Sequence, residues 1–136
     1  MKIRMGFVSN SSTSSFVFTN TSKFDMPLQQ LIIEILNDVM KYIYKNNNEL
    51  YDEFYETFDE QVTSLCKGYI SIHDDDYTIK KYKLNDIIKP NESITLSFEH
   101  DGEGGSFAER YFCKFAHDNG LKGKTRNFVW NYDCDD

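Results

Sequence analysis

The sequence predicts an α+β fold: an antiparallel sheet of about four to six strands packed by a helical hairpin and one further helix. Three observations lead to it. Apolar residues recur at helical spacing through residues 25–67, the period switches to two after Gly68, and a late helix with marked ends precedes the last strand. A chain of 136 residues has the size of one domain with one core. Residues 1–136 are therefore expected to form a single unit: an N-terminal strand and Ser-rich hairpin (1–20), the helical hairpin (25–67), and a sheet with one helix (68–132).

Taken in order, Ile3 to Val8 and Phe16-Val17-Phe18 read as strands around the polar tract Ser9 to Ser15, whose side chains satisfy their own backbone in turns. From Pro27 to about Tyr44, the residues Leu28, Leu31, Ile32, Ile35, Leu36, Val39 and Ile43 make the strongest helical stripe, with Asp25 placed to cap it and Pro27 tolerated in its first turn. The run Lys45-Asn46-Asn47-Asn48 interrupts the stripe. Leu50, Phe54, Phe58, Val62 and Leu65 resume it as a second helix ending near Gly68. Tyr69 to Ile72, Tyr77 to Lys83 and Ser93 to Phe98 then read as strands, with turns at Asp74-Asp75-Asp76 and Lys89-Pro90-Asn91. Ser106 and Glu109 form a capping-box pattern before Phe107, Ala108, Tyr111, Phe112 and Phe115, and Gly120-Leu121 suits a Schellman end. Arg126 to Tyr132, alternating Phe128, Trp130 and Tyr132, is the last strand.

Hydrophobic residues make up 40% of the chain and aromatics 15%, which supplies the apolar material that disordered chains lack. Phe and Tyr dominate the aromatics, and such side chains fill cores or sit half exposed at contact surfaces, a balance that leans towards a binder. The net charge of −7 opposes attraction to nucleic-acid backbones and anionic membranes, and it points to a protein with a basic surface as partner. Cys66, Cys113 and Cys134 are odd in number and lack CxxC spacing, so free thiols are expected. No secretory leader or membrane-spanning stretch is read, no cofactor is implied, and the expected location is the cytoplasm. A homo-oligomer stays open.

The opening residues Lys2-Ile3-Arg4-Met5-Gly6-Phe7-Val8-Ser9-Asn10-Ser11-Ser12-Thr13-Ser14-Ser15-Phe16 resemble an N-terminal signature, R-x-G-F-V-S-N-S-S-S-S-S-F, that opens many small bacteriophage and bacterial proteins; Thr13 replaces one Ser. The resemblance covers about an eighth of the chain and carries over no catalytic residue. It implies a phage or mobile-element context and a host macromolecule as target, with inhibition of a defence system as one role. For the tract itself two readings stand: a flexible hairpin loop, or a hydroxyl-rich site at Ser11, Ser12, Thr13, Ser14 and Ser15 to which modification adds charge.

The candidate partner-binding residues are Glu49, Asp52, Glu53, Glu56, Asp59 and Glu60, whose three- and four-residue spacing lays one acidic face along a helix, with no Lys or Arg between Lys45 and Lys67. The face is either simply solvated or a docking surface for a basic groove. Gly102-Glu103-Gly104-Gly105-Ser106 leads into a helix but lacks the P-loop spacing and its Lys, so a tight strand-to-helix turn is the expectation over a phosphate cradle. Asp74, Asp75, Asp76, His100, Asp101 and Glu103 form a divalent-metal site if the first and third internal strands are neighbours, though no metal motif spaces them. The alternatives to a binder are thus a small metal-dependent enzyme using the His100-Asp101-Glu103 loop, or a self-assembling virion protein. Covalent chemistry at Cys66 or Cys113 is disfavoured by their apolar surroundings, and the cluster Lys80, Lys81, Lys83 with Tyr77 and Tyr82 reads as an exposed strand more readily than as an RNA contact.

Overall fold

A computed structural model of the chain describes residues 13–46, 49–71, 77–100 and 105–133. In chain order the elements are β1 (Thr13–Asn20), β2 (Met26–Pro27), α1 (Leu28–Asn46), α2 (Tyr51–Glu56), α3 (Phe58–Ser64), β3 (Lys67–Ser71), β4 (Tyr77–Lys81), β5 (Ile87–Ile88), β6 (Ser93–Glu99), α4 (Phe107–Asp118), β7 (Lys122–Lys124) and β8 (Phe128–Tyr132). The fold is α+β. A four-stranded antiparallel sheet in the order β6-β1-β8-β7 is accompanied by the small pairs β3-β4 and β2-β5.

The register sets which face is apolar. Phe16 of β1 stands opposite Leu96 of β6 and Tyr132 of β8, so the period of two sends Phe16, Phe18, Leu96, Phe98, Phe128 and Trp130 to one face, where all are buried. Onto that face α4 lays Phe112, whose ring centroid is 5.0 Å from those of Phe16 and Trp130 and 5.3 Å from that of Phe98. Tilted and edge-to-face rings of this kind attract beyond the area they bury. Beside α4 packs α1, and all seven residues of its predicted stripe are buried. β3 runs along the edge strand β6, an approach that needs Gly68, because a Cβ there would stand 3.0 Å from the Thr95 carbonyl oxygen.

Both ends of α4 are as expected. Ser106 and Glu109 form a reciprocal capping box, and at the other end the Leu121 amide donates to the Ala116 carbonyl at 2.7 Å and the Gly120 amide to that of His117 at 3.3 Å, with Gly120 at φ +79°. Other expectations need correction. The predicted polar loop is partly strand: Thr13, Ser14 and Ser15 pair with Glu99, Phe98 and Ser97, and a 2.7 Å hydrogen bond joins the Ser15 and Ser97 hydroxyls. Cross-strand hydroxyl pairs make serine a ladder residue here, overriding its turn preference. The expected first strand, Ile3 to Val8, and the Asp74-Asp75-Asp76 turn lie outside the described residues.

The second arm of the helical hairpin is two short helices broken at Thr57, not one, and residues beyond Cys66 belong to β3. The first helix begins at Leu28, with Pro27 in β2. Its first amides, those of Leu28 and Gln29, donate to the backbone carbonyls of Asp86 and Leu84 at 2.7 and 2.9 Å, which supplies the capping assigned to Asp25. Strands β2, β5 and β7 had no sequence signal. No helix among the described residues is long and apolar enough to cross a membrane.

Two buried polar groups pin the layers together. The Asn20 side-chain Nδ2 donates to the Phe24 and Ile88 carbonyls, both at 2.8 Å, while its Oδ1 accepts from the Ser22 backbone N–H and hydroxyl. Glu34, in the buried face of α1, accepts from Gln30 Nε2 at 2.8 Å, Thr125 Oγ1 at 2.7 Å, and Asn127 N and Nδ2 at 3.0 and 2.5 Å. This carboxylate ties α1 to the turn between β7 and β8. Burial pushes its pKa up, but the four hydrogen bonds outweigh burial and hold the group below the usual glutamate value.

Two outcomes follow from this packing. A Cβ on Gly123 would lie 2.5 Å from the Trp130 ring, so Gly123→Ala is expected to cost about 1–3 kcal/mol in urea unfolding. Glu34→Gln is expected to cost roughly 1–3 kcal/mol at neutral pH, because one carboxylate oxygen becomes an NH2 that faces two of the four donors. Because the folded pKa of Glu34 is depressed, its stabilisation is complete above the unfolded value of about 4.3 and fades as the pH falls through the folded value. The stability difference between wild type and Glu34→Gln should therefore shrink in acid, and an unchanged difference would contradict the assignment.

Candidate functional site

The acidic run is divided by a local competition. The Thr57 hydroxyl donates back to the Glu53 carbonyl at 2.9 Å and accepts from Gln61 Nε2 at 3.1 Å, and the helix is interrupted at this residue. Consequently Asp52 and Glu53 fall in the first turn of α2, and Asp59 and Glu60 in the first turn of α3. Each pair then sits near helix amides rather than in the middle of one long helix, which offsets part of the repulsion between like charges.

The underside of this unit is firmly seated. Phe54 is fully buried with its ring 5.1 Å from that of Phe107, and the Gln61 side-chain oxygen accepts from the Ala108 amide at 3.0 Å. Ser64 and Ser106 share a hydroxyl hydrogen bond of 2.9 Å. The outer side carries Glu49, Asp52, Glu53, Glu56, Asp59 and Glu60, all exposed. None of these six carboxylates is paired with a cation among the described residues.

The sequence reading missed the aromatic edge of this face. Tyr44, Tyr51 and Tyr55 form a ladder, with Tyr44 and Tyr51 in edge contact at 5.2 Å and Tyr51 and Tyr55 near parallel at 6.3 Å. Tyr44 is 61% exposed and Tyr55 64%, while Tyr51 packs partly against the core. The four-residue spacing of Tyr51 and Tyr55 was the available signal; the part played by Tyr44 depends on how α1 and α2 meet.

Two open clefts flank α4, and in both the polar groups largely serve one another. The first, about 510 Å³, is lined by Ser64, Cys66, Lys67, Lys81, Tyr82 and Glu109, among others. Buried Glu109 accepts from the Glu99 amide at 2.9 Å and the Ser106 amide at 3.1 Å and pairs with Lys67 at 3.1 Å. With the Ala108 amide given to Gln61 and the Glu109 amide to Ser106, the start of α4 has these donors occupied by protein groups, which leaves them closed to a phosphate. The second cleft, about 420 Å³, has Tyr42, Arg110, Lys114, His117 and Asp118 in its wall. There the Tyr42 hydroxyl donates to Asp118 at 2.6 Å, and that bond, with burial and the carboxylate charge, pushes the phenol up to about 12.

Cys66 and Cys113 are free and buried. Burial raises the Cys66 thiol, aided by the Asp86 charge, and lifts that of Cys113 to about 12, with Glu109 adding to it. Of the candidate metal ligands, Asp74, Asp76, Asp101 and Glu103 lie outside the described residues. His100 follows β6, and the neighbourhood of β3 and β6 on which that reading depended does exist. No group of three or more His, Cys, Asp or Glu suited to a metal occurs among the described residues. In the Ser-rich tract, Thr13, Ser14 and Ser15 are placed within β1, and Ser11 and Ser12 are outside the described residues. Lys80 lies 5.0 Å above the Tyr82 ring, an intramolecular cation–π contact.

No family model matches the chain, and neither does a curated protein or a solved structure.

The thiol environments make a direct forecast. In the native protein at mildly alkaline pH, Cys66 and Cys113 should resist alkylation and become labelled only on urea unfolding, as read by peptide mass mapping. Prompt native labelling of either would place a reactive thiolate where burial forbids one.

Proposed function

We propose that this chain is a non-enzymatic binding protein that engages a basic surface on a host macromolecule through the exposed carboxylates of α2 and α3. The observation that carries the reading is six exposed carboxylates without cationic partners among the described residues, displayed on a unit whose other side is locked to α4 by Phe54, Gln61 and Ser64. A charged face on a rigid seat raises the rate of encounter and fixes orientation without having to order itself first. The net charge of −7 disfavours a nucleic-acid target and favours a basic protein. Buried, high-pKa thiols and mutually satisfied cleft residues lend nothing to a catalytic alternative. The N-terminal resemblance to phage and bacterial proteins adds the context of a host target, and inhibition of a defence system is the role proposed within it.

The test is a tagged pull-down from host cells at low and high salt, followed by titration of the captured partner. Wild type should capture a protein partner in a salt-sensitive manner. The double charge reversal Glu53→Lys with Glu56→Lys should weaken binding by about tenfold or more at low ionic strength and flatten the salt dependence. Unchanged affinity and salt slope in the double variant would remove the acidic face from the function.

A further inference from the structure

The tyrosine ladder along the acidic face has a chemistry that electrostatics alone does not use. We propose that Tyr44, Tyr51 and Tyr55, with the adjoining α2 carboxylates, form a docking surface for an extended arginine-rich segment of a partner, and that the surface selects arginine over lysine. The inference rests on the reading of the acidic face as a docking surface and specifies which cation it takes.

Three features support arginine. The ladder is preorganised: Tyr51 is partly buried against the core, and the rings of Tyr44 and Tyr55 are in contact with it at 5.2 and 6.3 Å. Little side-chain freedom therefore remains to be lost on binding. The planes of Tyr51 and Tyr55 lie within 17° of each other, so a planar group lying flat on one has almost the same orientation as a group lying flat on the other. A guanidinium is planar and weakly hydrated, stacks on aromatic faces, and keeps its edge donors free for carboxylates; an ammonium is compact and strongly hydrated and gains less from a ring. Asp52, three residues before Tyr55 on α2, supplies such a carboxylate on the Tyr55 side of the helix, with Glu56 one turn on from Asp52.

The spacing names the form of the segment. The Tyr51 and Tyr55 centroids, 6.3 Å apart, come close to the roughly 6.6 Å between alternate residues of an extended chain, and Tyr44 stands nearer, 5.2 Å from Tyr51. An Arg-x-Arg-x-Arg segment thus offers similarly oriented guanidiniums to Tyr51 and Tyr55, and a third to Tyr44, whose plane stands 74° from that of Tyr51 and so takes it in an orientation of its own. Charge complementarity selects this occupant over an apolar one, since the ladder is bordered by exposed, unpaired acids.

The experiment is a calorimetric titration of the full chain with three peptides of equal length, carrying Arg, Lys or Leu at three alternate positions among serines. The Arg peptide should bind about tenfold tighter than the Lys peptide, and the Leu peptide should not bind. In Tyr44→Leu with Tyr55→Leu, both at exposed positions, the preference for Arg should fall below about twofold, while Tyr44→Phe with Tyr55→Phe should keep it because the rings remain. Equal binding of the Arg and Lys peptides to wild type would overturn the ladder's role while leaving the acidic-face reading intact; binding of neither would overturn both. Binding of the Leu peptide, or a dimer in sedimentation velocity that Tyr44→Leu dissolves, would assign the ladder to an apolar partner or to a second copy and would equally overturn the proposal.

Discussion

The packing of Phe112 against the inner face of the sheet is the contact on which the other placements depend. Its ring meets Phe16, Phe98 and Trp130, and so joins three of the four strands of the main sheet to one helix. Once that face of α4 is inward, the start of the helix is oriented as well, and Ser106, Ala108 and Glu109 can be gripped by Ser64, Gln61 and Lys67. The carboxylate face of α2 and α3 is then a downstream result of core packing. An aromatic cluster on the far side of α4 decides where an exposed surface stands.

Much of this was legible from the residues. In α1, seven apolar positions repeat with helical period and all are buried, because a long amphipathic stripe has few other ways to hide from water. In α4, Ser106 with Glu109 and Gly120 with Leu121 announce both ends through local hydrogen bonding, which needs no tertiary information. The break at Thr57 was hidden because Leu50, Phe54, Phe58, Val62 and Leu65 keep their spacing across it while a single hydroxyl redirects the backbone. Strand β7, Lys122–Lys124, is too short to show a period and exists through its pairing with β8. Thr13 to Ser15 read as a turn for a similar reason: their strand character comes from β6, which is distant in sequence.

The candidate surface was half legible. A run of acids without interleaved lysines is visible in one dimension; all six carboxylates are exposed, but they stand on two short helices and the turn before them rather than along one helix. The aromatic edge was not visible, since Tyr44 belongs to α1 and meets Tyr51 only when the two helices are brought together. Charges announce themselves by composition, whereas ring geometry is a property of the fold.

The single tryptophan has a consequence of its own. Trp130 is buried between Phe112, Phe16 and the bare backbone of Gly123, and its indole N–H has no hydrogen-bond acceptor among the described residues. The tyrosine ladder, in contrast, stands at the surface. The molecule thereby carries an optical reporter of its interior: indole emission shifted to the blue by its apolar cage, set apart from the exposed rings of Tyr44 and Tyr55. A ligand at those exposed rings should leave that emission almost unchanged, whereas loss of the β7 cover should shift it to the red.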